Sequence, residues 1–135
     1  MCYSTALRKS REEIEKKLKD QFNATFEDTN TYSPYYHLNG FSYGNLQIIT
    51  MADTSKICSA AWGLVPDWAK NDPTGFRKKS NTLNARSETI FEKNSFKKSA
   101  ESQRCLNLAD DFYEPHHENG IPIPFFCYQQ KRKTR

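Results

Sequence analysis

The chain opens Met1-Cys2. Loss of Met1 would leave Cys2 with a free α-amine beside its thiol. Such a 1,2-aminothiol condenses with an aldehyde in two steps. The amine forms a Schiff base, and the thiol then closes a five-membered thiazolidine ring. An α-amine titrates near ~8 and a thiol near ~8.5, so neither needs a large shift to react close to neutral pH. No internal cysteine holds both nucleophiles in that geometry. A small second residue also permits removal of Met1 by a housekeeping aminopeptidase.

Other stretches carry groups that could serve this nucleophile. "TLNARSETIF" alternates Asn84, Arg86 and Glu88; "RCLNLADDFYEPHH" sets Glu114 after an apolar, aromatic run; "WGLVPDW" supplies Trp62 and Trp68. Taken singly, each has a plainer role. Asn84 could cap a helix. Arg86 and Glu88 could form a surface ion pair of little energetic weight. Glu114 could be an ordinary strand-end carboxylate, and either tryptophan could simply pack.

The elements that must position these residues are legible in part. Ser10 to Phe22 predicts a helix. Ser10 and Glu13 form a capping box, Ile14, Leu18 and Phe22 make one apolar stripe, and Glu12–Lys16, Glu13–Lys17 and Glu15–Lys19 are favourable i, i+4 pairs. Asn23 to Gly44 reads as loop with short strands. Leu46 to Met51 and Lys56 to Trp62 read as strands around a polar turn. Gly63 and Pro66 break regular structure, and Asp72 to Asn81 reads as a basic, polar loop. Ser87 to Lys93 predicts a short helix and Arg104 to Ala109 a strand. Phe112–Glu114 and Pro122–Tyr128 would flank a hairpin, with Asn119-Gly120 as its type I′ turn. The mixture has no βαβ rhythm and predicts an α+β fold.

The chain has 135 residues, enough for one domain with a real core, and its 13% aromatic content argues against disorder. No apolar run approaches the roughly 18 residues of a membrane helix, and the first twenty residues lack a signal-peptide core. A cytoplasmic location is expected. The formal charge is +4, yet four of the last five residues are basic: Lys131, Arg132, Lys133 and Arg135. The body is therefore balanced, and residues 129–135 read as a solvated basic tail. The four cysteines are widely separated, with no C-x-x-C pair, which predicts neither a zinc site nor disulfides. Cys58, Cys105 and Cys127 lie in strand-like apolar runs and are expected to pack in the core.

With "MCYS", "WGLVPDW", "NARSET" and "FYE" in this order, the chain resembles the SOS response-associated peptidase (SRAP) family from Met1 to about Tyr128. The resemblance implies a barrel-like mixed β core with flanking helices, residues 1–128 forming the N-terminal portion of a single domain. It implies covalent capture of abasic sites in single-stranded DNA, whose open deoxyribose offers an aldehyde, together with self-processing at Met1 as a cysteine peptidase. Cys2 would be the nucleophile. Asn84 would bond the sugar adduct, and Glu114 would shuttle protons. Arg86 would hold a flanking phosphate, and Trp68 would stack on a base, worth on the order of 1–3 kcal/mol. No metal or other cofactor is expected.

The chain departs from the family pattern at several positions. Tyr3 and Ser4 stand where small or basic residues are usual. Asp111 replaces a glycine and is expected to disturb the strand presenting Glu114. Leu108 and Pro115 replace a proline and a tryptophan. The family's downstream histidine motif has no counterpart before Arg135, and His116 and His117, read as solvated turn residues, do not match its position. These features predict a C-terminally truncated member with an exposed apolar surface and an unpaired sheet edge open to self-association. Two alternatives stand beside this reading: an inactive remnant that binds single strands weakly, and an N-terminal-nucleophile hydrolase acting on small amides.

Overall fold

A computed structural model describes residues 3–28 and 30–129. Cys2 and the basic tail from Lys131 to Arg135 lie outside the described residues. Among the described residues, eight strands and three helices succeed one another as β1 (Ser4–Leu7), α1 (Arg11–Leu18), β2 (Thr25–Phe26), β3 (Tyr35–Asn39), β4 (Asn45–Thr50), β5 (Lys56–Ala61), α2 (Pro73–Lys79), α3 (Lys97–Ser102), β6 (Cys105–Asn107), β7 (Asp111–Glu118) and β8 (Ile121–Tyr128). The strands form two four-stranded sheets, ordered β3-β1-β7-β8 and β2-β5-β4-β6. The fold is α+β, as the sequence predicts. No described helix is long and apolar enough to cross a membrane. Among the described residues no cluster of His, Cys, Asp and Glu is suited to hold a metal ion.

Local chemistry explains most element boundaries. The capping box of α1 forms: Glu13 N–H donates to Ser10 Oγ at 3.3 Å, and Ser10 N–H donates to the Glu13 carboxylate at 2.8 Å. The helix ends at Leu18 rather than Phe22, because the N–H groups of Phe22 and Asn23 both return to Leu18 O and Asn23 turns into the left-handed region at φ 48°. The hairpin forms as read, with Asn119 at φ 51° and Gly120 at φ 80°, the two positive values a type I′ turn requires. Its strands are longer than the sequence suggests, pairing without interruption from Glu118↔Ile121 to Asp111↔Tyr128.

Other expectations are corrected as well. Residues 72–81 are not a loop. Asp72 caps α2 by accepting from Gly75 N–H at 2.9 Å, and Pro73 occupies the first turn, where its missing N–H costs nothing. Ser87 to Lys93 forms turns instead of a helix; the run Thr89-Ile90-Phe91 is poor in helix formers. None of Cys58, Cys105 and Cys127 is buried in the core, and Cys58 alternates with the fully buried Ile57, so it points the other way. His116 and His117 lie within β7, not in a turn, and are exposed.

Two apolar clusters hold the sheets. The larger gathers Leu7, Ile14, Ala24, Phe26, Ile49 and Ile57, onto which Leu18 and Phe22 of the α1 stripe pack. The smaller joins Leu46, Trp62 and Leu83, with Tyr3, Leu38 and Tyr43 against it. The β1–β7 junction is fastened by charge. Asp110 N–H donates to Ala6 O at 2.8 Å, and the Asp110 carboxylate accepts from Arg8 N–H at 2.8 Å while pairing with the Lys9 ammonium. Asp111, 3% exposed, pairs with the Arg8 guanidinium, and β7 starts at it and continues unbroken to Glu118. The aspartate that replaces the family's glycine thus anchors the strand instead of disturbing it.

Desolvation works against ionisation of Asp110, but the Lys9 ammonium and the Arg8 and Lys9 N–H groups outweigh it and hold the carboxyl below its usual range. A depressed carboxyl stabilises the fold above its unfolded value, near ~3.9, and loses that contribution as pH falls through the lower folded value. Asp110→Asn should therefore cost about 1–2 kcal/mol at pH 7. Urea titrations across pH should show the difference from wild type shrinking below about pH 4.

Among the described residues β8 forms the outer edge of its sheet, and Ile121, Phe125, Phe126 and Tyr128 are exposed. In a two-residue hairpin Glu118↔Ile121 is a hydrogen-bonded pair, so the even-numbered residues of β8 direct their backbone groups outward. Pro122 and Pro124 occupy two of those positions and remove the donors there. Replacement of Pro124 by valine restores a donor on the open edge. It should increase self-association, measured as a concentration-dependent rise in sedimentation coefficient.

Candidate functional site

The smaller cluster organises the residues singled out from the sequence. Trp62, 9% exposed, donates its indole Nε1–H to Leu83 O at 3.1 Å. One residue earlier Thr82 Oγ1 donates to Leu64 O at 2.7 Å, and Leu64 N–H returns to Thr82 O at 3.3 Å. Gly63 turns between these contacts at φ 108°, a conformation that favours glycine. The "WGL" turn and the "TLN" segment are thus clamped together, and the clamp fixes where the chain emerges at Asn84. Asn84 is half-buried, whereas Arg86 is exposed.

The same tryptophan locates the start of β1. Gly40 lies against the Trp62 indole so closely that a Cβ there would sit 3.3 Å from the ring. Gly40 N–H donates to Tyr3 O at 2.7 Å, and the Tyr3 ring packs against the cluster and stacks on Phe41 at 5.0 Å. Tyr3 is the residue bonded to Cys2.

Glu114 reaches this point from the opposite side. β1 pairs antiparallel with β7 as Ala6↔Asp111, Thr5↔Phe112 and Ser4↔Tyr113. One step further places Tyr3 opposite Glu114. Glu114 is half-buried, and on the other flank its partner is Phe125 of β8, whose ring takes His116 edge-on at 5.3 Å. Sheet register thus brings Glu114 to the start of β1, and Asn84 follows directly on the clamped Leu83.

Trp68 and Arg86 both lie at the surface. Trp68, 66% exposed, sits in a short 3₁₀ turn at Asp67–Ala69 and packs edge-to-face on Phe76 of α2 at 5.2 Å. It lines a cleft with Asp72, Gly75 and Lys79. The structural part played by Trp62 is not announced by its sequence neighbours, since its partner Leu83 lies 21 residues away.

The fold defines a class: an α+β domain of two sheets in which the first strand pairs with the strand that carries Glu114. A sequence profile described as "SOS response associated peptidase (SRAP)" matches residues 1–134, and the chain belongs to that family. It is 38% identical over 96 residues to abasic site processing protein YoqW of Bacillus subtilis, covering 70% of this chain and 41% of that one. It is 37% identical over 120 residues to abasic site processing protein HMCES of Pongo abelii, covering 81% of this chain and 33% of that one. The chain thus spans less than half the length of these curated relatives. A crystal structure of a protein from Bacteroides thetaiotaomicron superposes with a TM-score of 0.78 at 27% identity, covering 97% of this chain and 56% of that one.

The clamp can be tested directly. Trp62→Phe keeps an aromatic ring but leaves Leu83 O without its donor, at a cost of about 1–3 kcal/mol. Denaturant titration should show that loss, and backbone amide exchange should accelerate at Leu83 and Asn84 more than in β4 or β5.

Proposed function

We propose that this chain captures abasic sites in single-stranded DNA through Cys2. Hydrolysis of the Met1–Cys2 peptide bond, as a self-processing cysteine peptidase of the SRAP type, consumes one water, releases methionine and exposes the α-amine. The amine nitrogen adds to C1′ of the ring-opened deoxyribose to give a carbinolamine. Loss of water gives the imine. The Cys2 sulfur then adds to the imine carbon, the nitrogen takes up a proton, and the thiazolidine ring is closed. The balance is one aldehyde and one aminothiol giving one ring and one water.

The observation that carries this reading is the β1–β7 register, which sets Glu114 opposite Tyr3, the neighbour of Cys2. A carboxyl group there can protonate the departing hydroxyl of the carbinolamine and recover the proton as the ring closes. Asn84, with a donor and an acceptor on one amide, bonds the opened sugar and fixes its orientation. Arg86 holds a phosphate of the damaged strand by charge-assisted bonds. Trp68 stacks on a neighbouring base. The relatives' names, both abasic site processing proteins, support the same substrate.

Intact-mass spectrometry of the full chain provides the test. Incubation with a uracil-excised single strand should yield protein lacking Met1 and carrying one strand, less one water. Cys2→Ser should abolish the adduct. Glu114→Gln should slow its formation about a hundred-fold, the low end of the 10²–10⁴-fold range for a positioned proton shuttle. Binding that survives Cys2→Ser with no adduct in wild type would leave a non-covalent single-strand binder. Turnover of small amides without DNA would indicate an amide hydrolase instead.

A further inference from the structure

Among the described residues β8 is bonded on one side to β7 and has no strand on the other. Both of its faces are open too. On one lie Phe126 and Tyr128, 44% and 64% exposed, and on the other Ile123 and Phe125. The rings of the first face are already ordered. Tyr113, Phe126 and Tyr128 form a row, with centroids 5.1 and 5.8 Å apart. The strand therefore presents an apolar rim with an open backbone.

The backbone of that rim is complementary to itself. The hairpin register turns the N–H and C=O groups of odd-numbered residues toward β7 and those of even-numbered residues outward. Pro122 and Pro124 have no N–H to offer. Within β8, both outward groups are present only at Phe126 and Tyr128. When the strand meets a copy of itself in antiparallel sense, one register among the described residues matches all of them. Phe126 then faces Tyr128 of the second copy, Tyr128 faces its Phe126, and each pair exchanges both N–H···O bonds. A slip of two residues toward the turn sets Tyr128 against Pro124 and leaves the Tyr128 carbonyl without a donor.

We infer that a second copy of this chain docks antiparallel along β8, about a two-fold axis at Cys127, and joins the two four-stranded sheets into one. The occupant is a second copy because what β8 leaves unmatched, in backbone and in rings, is complementary to itself. On one face Phe126 and Tyr128 meet their counterparts, so two aromatic rows become continuous. On the other, the free Cys127 faces Cys127 of the second copy in the non-hydrogen-bonded position. Facing Cα atoms there lie about 4.5 Å apart, inside the roughly 4.4–6.8 Å span of a disulfide. A two-fold contact of this kind closes at the dimer and does not propagate. It is short beside the roughly 1,200 Å² that stable interfaces bury, so monomer and dimer exchange. Nothing in it depends on the chemistry at Cys2.

The test uses the full chain with Cys127 as its only cysteine (Cys2→Ser/Cys58→Ser/Cys105→Ser), in which no DNA adduct forms. A diazene oxidant takes one hydrogen from each of two thiols and becomes a hydrazine, and the two sulfurs join. Intact mass should show two chains less two hydrogens. Tyr128→Pro in the same background removes an outward donor, as Pro122 and Pro124 already do. It should slow crosslinking about ten-fold or more, as expected for the two hydrogen bonds the dimer loses, while circular dichroism shows the protein folded. Leu106→Ser, on the exposed β6 of the other sheet, should leave the rate unchanged. Without oxidant, the sedimentation coefficient of the wild-type chain should rise from monomer toward dimer with concentration, a result that decides the matter even where Tyr128→Pro fails to fold. A monomer at every concentration overturns the inference. So does equal crosslinking by the parent and a folded Tyr128→Pro, and so does loss of the dimer in Leu106→Ser, which would seat association on β6.

Discussion

The hydrogen bond from the Trp62 indole to Leu83 O is the contact on which the arrangement of the site depends. Trp62 immediately follows β5, where the chain leaves the second sheet. Its ring is the floor beneath Gly40, and Gly40 holds Tyr3 of the first sheet. One side chain therefore couples the β4–β5 hairpin, the turn after β3, the start of β1 and the loop leading to Asn84. A buried indole suits this task because it is both a large apolar surface and a single directional donor. A phenylalanine would supply only the first, and a smaller polar residue only the second.

Charge does the corresponding work at the other end of β1. Asp110 and Asp111 receive the backbone and side chains of Arg8 and Lys9, so the register of β1 against β7 is fixed at Ala6↔Asp111. A one-residue slip would turn Glu114 to the opposite face of the sheet. The carboxylate's position at the start of β1 is thus secured several residues away, by groups that never approach it.

Much of this was legible in the sequence wherever a local rule decides the outcome. Ser10 and Glu13 name their own capping box, and Asn119-Gly120 names its turn. The strands β4 and β5 follow from their β-branched and apolar runs. α2 carries a local signal too: Asp72-Pro73 is a cap with a proline in the first turn, obscured by the basic and polar residues from Thr74 to Asn81. Other features obey no local rule. The Leu83 and Gly40 contacts with Trp62 join residues about twenty positions apart, and the ion pairs of Arg8 and Lys9 span about a hundred. Asp111 illustrates the point. Compared with a glycine-bearing pattern it looks disruptive, and only the proximity of Arg8 shows it to be a fastening. The parts given to Asn84 and Glu114 came only through family resemblance, because no local rule marks either residue.

The prolines of β8 give the open sheet a direction. A strand laid along that edge would meet carbonyls throughout but amide donors only at Phe126 and Tyr128, at the end remote from the hairpin turn. Annealing would have to begin there and would stall on reaching Pro124. The edge behaves like a zip fastener with teeth missing from one half. It favours a single starting register and resists the sliding, many-registered pairing through which exposed apolar strands of identical molecules aggregate.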